Sequence, residues 1–197
     1  MNRTDPQPRE VEALVERAQG GDSTAFESLV RHCYQQIYRW AWVQTGDPDD
    51  ADDVTQEVLV VLHRKLKTYT GRARFSSWLF QVTRNAALQH GRKVGRVLRL
   101  KRRASEVAVA DSSNADGLTE LDGARTADVV RTLFQELPIR QREVFDLADL
   151  QGFSPSEIGR MLGMKAVTVR ANLCKARRAL RGAILARHPE LVEGLTE

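Results

Sequence analysis

FSPSEIGRMLGMKAVTVRANLCKARRAL, residues 153–180, decides the fold. Ser154, Pro155 and Glu157 have the spacing of a capping box with proline at the first helical position. Ile158, Met161 and Leu162 then supply one face of a short helix. Gly163-Met164 makes a turn, and Val167, Val169, Leu173, Ala176 and Leu180 mark a second helix. Two helices joined by a tight glycine-containing turn form a helix-turn-helix. The polar side of the second helix offers Lys165, Thr168, Arg170, Asn172, Lys175, Arg177 and Arg178, and such a helix fits the DNA major groove. Lys165, Thr168 and Asn172 are expected at base edges. Arg170, Lys175, Arg177 and Arg178 are expected on phosphates, with Arg170 able to serve either role. The plainer alternative is a solvated basic face on an ordinary helix pair. A helix near Gln141–Leu150 is expected to support the motif.

Upstream, the apolar residues again recur at helical steps. Val11, Leu14, Val15 and Ala18 precede Phe26, Leu29, Val30, Cys33, Ile37 and Ala41, with the break at Gly20–Ser23. Asp22 or Ser23 can cap the second of these helices. Gly46-Asp47-Pro48 ends it. Ala51, Val54, Val58, Leu62 and Leu66 define a third helix, and Phe75, Trp78, Leu79, Val82 and Ala86 a fourth. Residues from Ala104 to about Asp122 are rich in Ala, Ser, Asp and Gly and poor in large apolar side chains, as in a flexible linker. No alternation of strand type is visible. The expected fold is all-α: two small helical domains, 8–97 and 126–188, joined by a flexible linker over 98–125, the second carrying the helix-turn-helix.

Charge is unevenly spread. DPDDADDVTQEV, residues 47–58, holds six carboxylates and no basic residue, whereas Val58–Ser105 holds thirteen Lys or Arg and no acid. A second acid-free run, Ile158–Pro189, has eight basic residues. The net charge of +4 says less than this distribution. DNA repels the acidic start of the third helix, so Asp49, Asp50, Asp53 and Glu57 suit a basic protein partner, although exposed carboxylates also serve solubility alone. Tyr69–Trp78 mixes aromatics, glycine and Arg72 and Arg74, a combination suited to single-stranded nucleic acid. Arg84, Asn85, Gln89, Arg92 and Lys93 extend that track. Phe75, Trp78 and Phe80 are equally readable as core.

Other functions find little support. At 42% hydrophobic and 28% charged the chain reads as a soluble globular protein. No apolar run reaches the roughly 18 residues of a membrane span, and the first ten residues lack the apolar core of a secretory signal. Cys33 and Cys174 form no ligand-spaced set, and His32, His63 and His90 show no metal spacing, so neither metal nor cofactor is expected. No catalytic set converges by spacing, which argues against a nuclease or recombinase.

Four stretches in order carry a resemblance: GDSTAFESLVRHCYQQIYRWA, DPDDADDVTQEVLVVLHRKL, GRARFSSWLFQVTRNAALQHGRK and LPIRQREVFDLADLQGFSPSEIGRMLGMKAVTVRANLCKARRAL. Together they resemble the extracytoplasmic-function sigma factors of bacterial RNA polymerase, in the sigma-70 family. The resemblance implies a non-enzymatic specificity subunit that binds core polymerase and directs it to promoters. Asp49, Asp50, Asp53, Gln56 and Glu57 would dock on the clamp helices of the largest subunit. The loop and helix from Thr70 to Lys93 would melt and read the −10 element, with Arg72, Arg74, Phe75, Ser77, Trp78, Arg84, Asn85, Gln89, Arg92 and Lys93 at the DNA. The helix-turn-helix would bind the −35 duplex, near the polymerase flap. The linker would thread toward the RNA exit path. The resemblance also implies an anti-sigma factor as partner and a cytoplasmic location, near the membrane where such a partner is membrane-held. Val167 stands where the family often has Gly, Ala171-Asn172 where Ser-Arg is common, and Gln89 where Asp is frequent, so promoter preferences do not transfer. The competing reading is a conventional helix-turn-helix regulator with an N-terminal sensing or dimerisation domain.

Overall fold

The computed structural model of the protein describes residues 8–104 and 122–189. All regular structure among them is helical, and the chain divides into two compact units, Met1–Val97 and Leu98–Glu197.

The first unit holds α1 (Pro8–Gln19), α2 (Ser23–Thr45), α3 (Pro48–Lys65) with a single 3-10 turn at Leu66–Thr68, and α4 (Phe75–Ala104) as far as Val97. Short caps set the boundaries. Asp22 accepts hydrogen bonds from the Thr24 and Ala25 amides, each at 3.0 Å. Arg17 closes on the same carboxylate at 2.6 Å, tying the end of α1 to the start of α2. The Thr24 hydroxyl also donates to this carboxylate at 2.7 Å, and that bond, followed by the Ala25 amide and Arg17, holds the Asp22 carboxyl well below the usual carboxylate range. Gly46, at φ 78°, ends α2, and Asp47 caps α3 through the Asp50 amide at 2.9 Å. The core is a stripe from each helix: Leu29, Ile37 and Trp40 from α2, Val54, Val58 and Leu62 from α3, Leu79 and Phe80 from α4. Trp40 meets Phe80 edge to face at 5.3 Å. Thr55 and Thr83 are buried, but each hydroxyl donates to the carbonyl four residues back, at 2.7 and 3.0 Å, so neither donor is orphaned.

The second unit holds α5 (Asp122–Gln135), α6 (Ile139–Phe145), α7 (Pro155–Leu162) and α8 (Ala166–Arg187). Where one helix was expected over Gln141–Leu150, α6 stops at Phe145 and a π-turn follows over Asp146–Leu150. The Gln151 amide there reaches the Asp146 carbonyl five residues back, at 3.1 Å, and Gly152 at φ 73° ends the turn. Asp146 and Leu147, the first two residues of the turn, are both buried. The capping box at Ser154 and Glu157 is formed in both directions, at 3.3 and 3.0 Å. Gly163, at φ 66°, ends α7 in the left-handed region. Helix α8 packs on α5, α6 and α7 through Val169, Ala176 and Leu180.

Within the expected 98–125 linker, helix α4 continues through residue 104 and α5 begins at Asp122; the basic run after Gly95 contains no helix-breaking residue. The remainder of the linker lies outside the described residues.

A Cβ built on Gly159 would lie 2.6 Å from the Met164 carbonyl oxygen, whereas one on Gly182 in α8 would meet nothing within 4 Å. Opposite effects are therefore expected from one substitution. Gly182→Ala should stabilise the chain by about 0.5–1 kcal/mol through helix propensity. Gly159→Ala gains that amount but loses about 1–3 kcal/mol to overpacking against backbone, a net destabilisation. Urea unfolding of the two variants checks the signs.

Candidate polymerase and nucleic-acid interfaces

Burial of Ala51, Val54, Thr55, Val58 and Leu62 fixes the rotation of α3. Asp49, Asp52, Asp53 and Gln56 consequently stand exposed on its outer side. Asp50 and Glu57 lie at the flank facing α4 and are not free anions. Asp50 is 2.8 Å from His90 Nε2, and Lys93 Nζ donates to Glu57 at 2.7 Å. Two carboxylates assigned to a protein partner thus meet two side chains of the basic helix. Both pairs are partly exposed, so their stabilisation is small, but Lys93 and Glu57 reduce the charge each side shows to a partner. The sharp separation of acids from bases in the sequence is partly undone in space.

On α4 the buried positions are Phe75, Leu79, Phe80, Thr83, Ala86 and Ala87. Asn85, Gln89, Arg92 and Lys93 consequently fall on the exposed side. Arg84 and Ser77 are half-buried beside them. Arg72 and Arg74 are exposed in the loop before α4. Phe75 does not belong to that surface. It is 4% exposed, with its ring 5.6 Å from Tyr69 and 5.7 Å from Trp78. It anchors the loop to the core. Trp78 is half-buried, 5.5 Å from Tyr69, and retains some accessible surface.

The loop itself is held from both ends. Gln19 Nε2 donates to the Leu66 and Tyr69 carbonyls, at 2.8 and 2.7 Å. The Tyr69 hydroxyl donates to the Ala73 carbonyl at 2.6 Å. Burial, with the nearby Glu12 charge, raises the Tyr69 phenol above its ordinary pKa, so it remains a donor throughout the neutral range. Gly71 adopts φ 72° between these anchors.

On α8 the packed seam leaves Lys165, Thr168, Arg170, Lys175 and Arg178 exposed, with Val167, Ala171 and Cys174 on the same outer side. Two expected DNA contacts are differently engaged. Asn172 is half-buried, and its amide donates to the Thr168 carbonyl at 2.9 Å. Arg177 grips Asp149 of the π-turn through two bonds, at 2.9 and 2.5 Å. Arg187 pairs with Glu136 at 2.5 Å. Arg177 and Arg187 thereby link α8 to Asp149 and Glu136 through partly exposed pairs.

Gln19, His90 and Asp149 were not expected to matter. Their partners lie 47 or 50, 40 and 28 residues away in sequence, beyond any helical period. The thiols carry no evident chemistry: burial pushes Cys33 up to about 12, and Cys174 is a lone exposed side chain. No helix among the described residues is long and apolar enough to cross a membrane.

Comparison with known proteins meets this geometry from another side. Residues 29–97 match the family profile Sigma-70 region 2, and residues 127–180 match Sigma-70, region 4. The ECF RNA polymerase sigma factor SigM of Mycobacterium tuberculosis is 31% identical over 160 residues, covering 81% of this chain and 77% of that protein. The ECF RNA polymerase sigma-E factor of Escherichia coli is 29% identical over 179 residues, covering 86% and 91%. Among solved structures, the sigma factor RpoE of Bartonella quintana, co-crystallised with the anti-sigma factor NepR, shares the fold at TM-score 0.63 and 21% identity, covering 83% of this chain and 98% of that one. The SigM match, 31% identical across 77% of that protein, together with the two ordered Sigma-70 profile matches, shows that the chain belongs to the extracytoplasmic-function sigma factors of the sigma-70 family.

Proposed function

We propose that the chain divides the work of promoter recognition among three exposed faces. As a sigma factor it binds core RNA polymerase and directs it to promoters; the polymerase, not this chain, performs the chemistry. The outer side of α3, with Asp49, Asp53 and Gln56 and flanked by Asp50 and Glu57, docks on the polymerase clamp. The loop at Arg72 and Arg74 and the exposed side of α4, with Ser77, Trp78, Arg84, Asn85, Gln89, Arg92 and Lys93, melts and reads the −10 element. Helix α8 reads the −35 duplex through Lys165, Thr168, Arg170, Lys175 and Arg178, with Asn172 and Arg177 at its margin. Residues 8–97 act as the first functional domain, 126–188 as the second, and the segment between them threads along polymerase.

The observation that carries this reading is the outward placement, by helix phase alone, of carboxylates on α3 and of cations on α4 and α8. A negative face repels DNA and attracts a basic protein surface, and the cationic faces do the reverse. Flipping a −10 base costs a few kcal/mol of unstacking, which a preformed loop beside a cationic track can offset. Binding two promoter elements from one chain raises the effective concentration at the second only when their spacing fits. The RpoE sigma factor of Bartonella quintana forms a complex with the anti-sigma factor NepR. A partner of that kind, covering these faces, would hold this chain away from polymerase and promoter. Its site of action is the cytoplasm, where bacterial polymerase and promoters meet. A conventional regulator needs no polymerase-binding face, and family membership sets that alternative aside.

Three outcomes test the assignment. Asp49→Lys with Asp53→Lys should weaken binding to core polymerase by roughly tenfold or more and leave −35 duplex affinity unchanged; equal polymerase affinity would refute the α3 face. Arg170→Ala with Lys175→Ala should lower duplex affinity and reduce the log–log salt slope by about 0.9 per lost phosphate contact. Arg177→Ala, whose guanidinium is already committed to Asp149, should change that slope much less; titrations at several salt concentrations decide. Asn85→Ala should slow open-complex formation more than closed-complex binding, as read by permanganate footprinting against gel shift.

A further inference from the structure

We propose that Gln19 and Tyr69 are positioning residues for promoter reading: they fix the shape of the Thr70–Arg74 loop without touching nucleic acid. This inference rests on reading that loop as the −10 contact.

Gln19 is the last residue of α1 and lies outside the region 2 match at 29–97. Its single amide nitrogen has two protons, and both are used. One goes to the Leu66 carbonyl at 2.8 Å, the other to the Tyr69 carbonyl at 2.7 Å. Leu66 opens the 3-10 turn and Tyr69 follows its last residue, so the two carbonyls bracket the turn immediately before the loop. The Tyr69 amide already donates to Leu66 at 3.0 Å, so Gln19 completes a closed knot of three bonds. Tyr69 carries the constraint onward. Its ring packs against Phe75 and Trp78, and its hydroxyl reaches the Ala73 carbonyl at 2.6 Å. The four-residue reach from Tyr69 to Ala73 encloses Thr70, Gly71 and Arg72, with Gly71 in the left-handed region.

A loop tied at both mouths loses its conformational freedom during folding and not at the moment a base is captured. The amide of Gln19 thus acts at a distance: it sets where Arg72 and Arg74 emerge, and those side chains meet the DNA. Removing the tie should degrade the choice among −10 sequences, because a loose loop accepts the right and the wrong base more equally.

The test uses holoenzyme reconstituted from core polymerase and the full chain, carrying wild type, Gln19→Met, Tyr69→Phe or Arg74→Ala. The templates are the promoter that wild type selects from a −10 library and versions with single −10 bases replaced. The readout is the ratio of transcription from the preferred promoter to that from the replaced ones. Gln19→Met keeps the side-chain length but donates nothing, and Tyr69→Phe deletes one oxygen. Each should lower the ratio by about three- to tenfold, with core-polymerase and −35 duplex affinities unchanged. A uniform fall in output at an unaltered ratio would mean that the two residues only stabilise the fold, and overturns the inference. If Arg74→Ala lowers the ratio while Gln19→Met and Tyr69→Phe do not, the loop reads DNA but these residues do not position it. If none of the three alters the ratio, the loop is not the reader, and both readings fall. Should Gln19→Met fail to fold, Tyr69→Phe decides alone.

Discussion

A helix has one buried face, and the positions that fill it settle where every other side chain points. In α3 that face is Ala51, Val54, Val58 and Leu62, all fully buried against the neighbouring helices. Each large aliphatic among them contributes roughly 1.5–3 kcal/mol. Turning the helix by half a revolution would forfeit that sum and force Asp49 and Asp53 inward, at several kcal/mol for each unpaired ion. Hydrophobic burial therefore aims the carboxylates. The electrostatic face is a consequence of packing and needs no attraction of its own to form.

The same logic governs α4 and α8. Leu79, Phe80, Thr83 and Ala87 turn the basic side of α4 outward, and Val169, Ala176 and Leu180 do so for α8. Partly exposed ion pairs join α8 to its surroundings, Arg177 to Asp149 and Arg187 to Glu136, and contribute little to stability, while the Met164 carbonyl closes over Gly159. With Arg177 and Arg187 paired to acids, Arg170, Lys175, Arg178 and Arg181 are further exposed cations of α8.

Within the first unit, the pairs Asp50–His90 and Glu57–Lys93 join the face proposed for polymerase to the face proposed for promoter DNA. Both are partly exposed and screened by water, so they do little to hold the fold. They do mean that a partner approaching either face meets side chains already engaged with the other. Charge complementarity in a sigma factor of this kind is therefore not a matter of two independent surfaces, even though the sequence places the two signs in separate blocks.

Local chemistry determined a great deal of this protein without any coordinates. The 3.6-residue period, the caps at Asp22, Asp47 and Ser154, and the glycines at 46 and 163 fix most helix boundaries, and the spacing at 153–180 suffices for the helix-turn-helix. Each of those signals acts within one or two turns, which is why it is legible. The tertiary structure alone decided that Phe75 is buried, that Arg177 pairs with Asp149, that residues 146–150 widen into a π-turn, and that Gln19 bonds to a loop 50 residues away. A sequence states which groups can donate, accept or be buried. Which of them meet depends on how helices distant in the chain are rotated and seated against each other, and no local period encodes that.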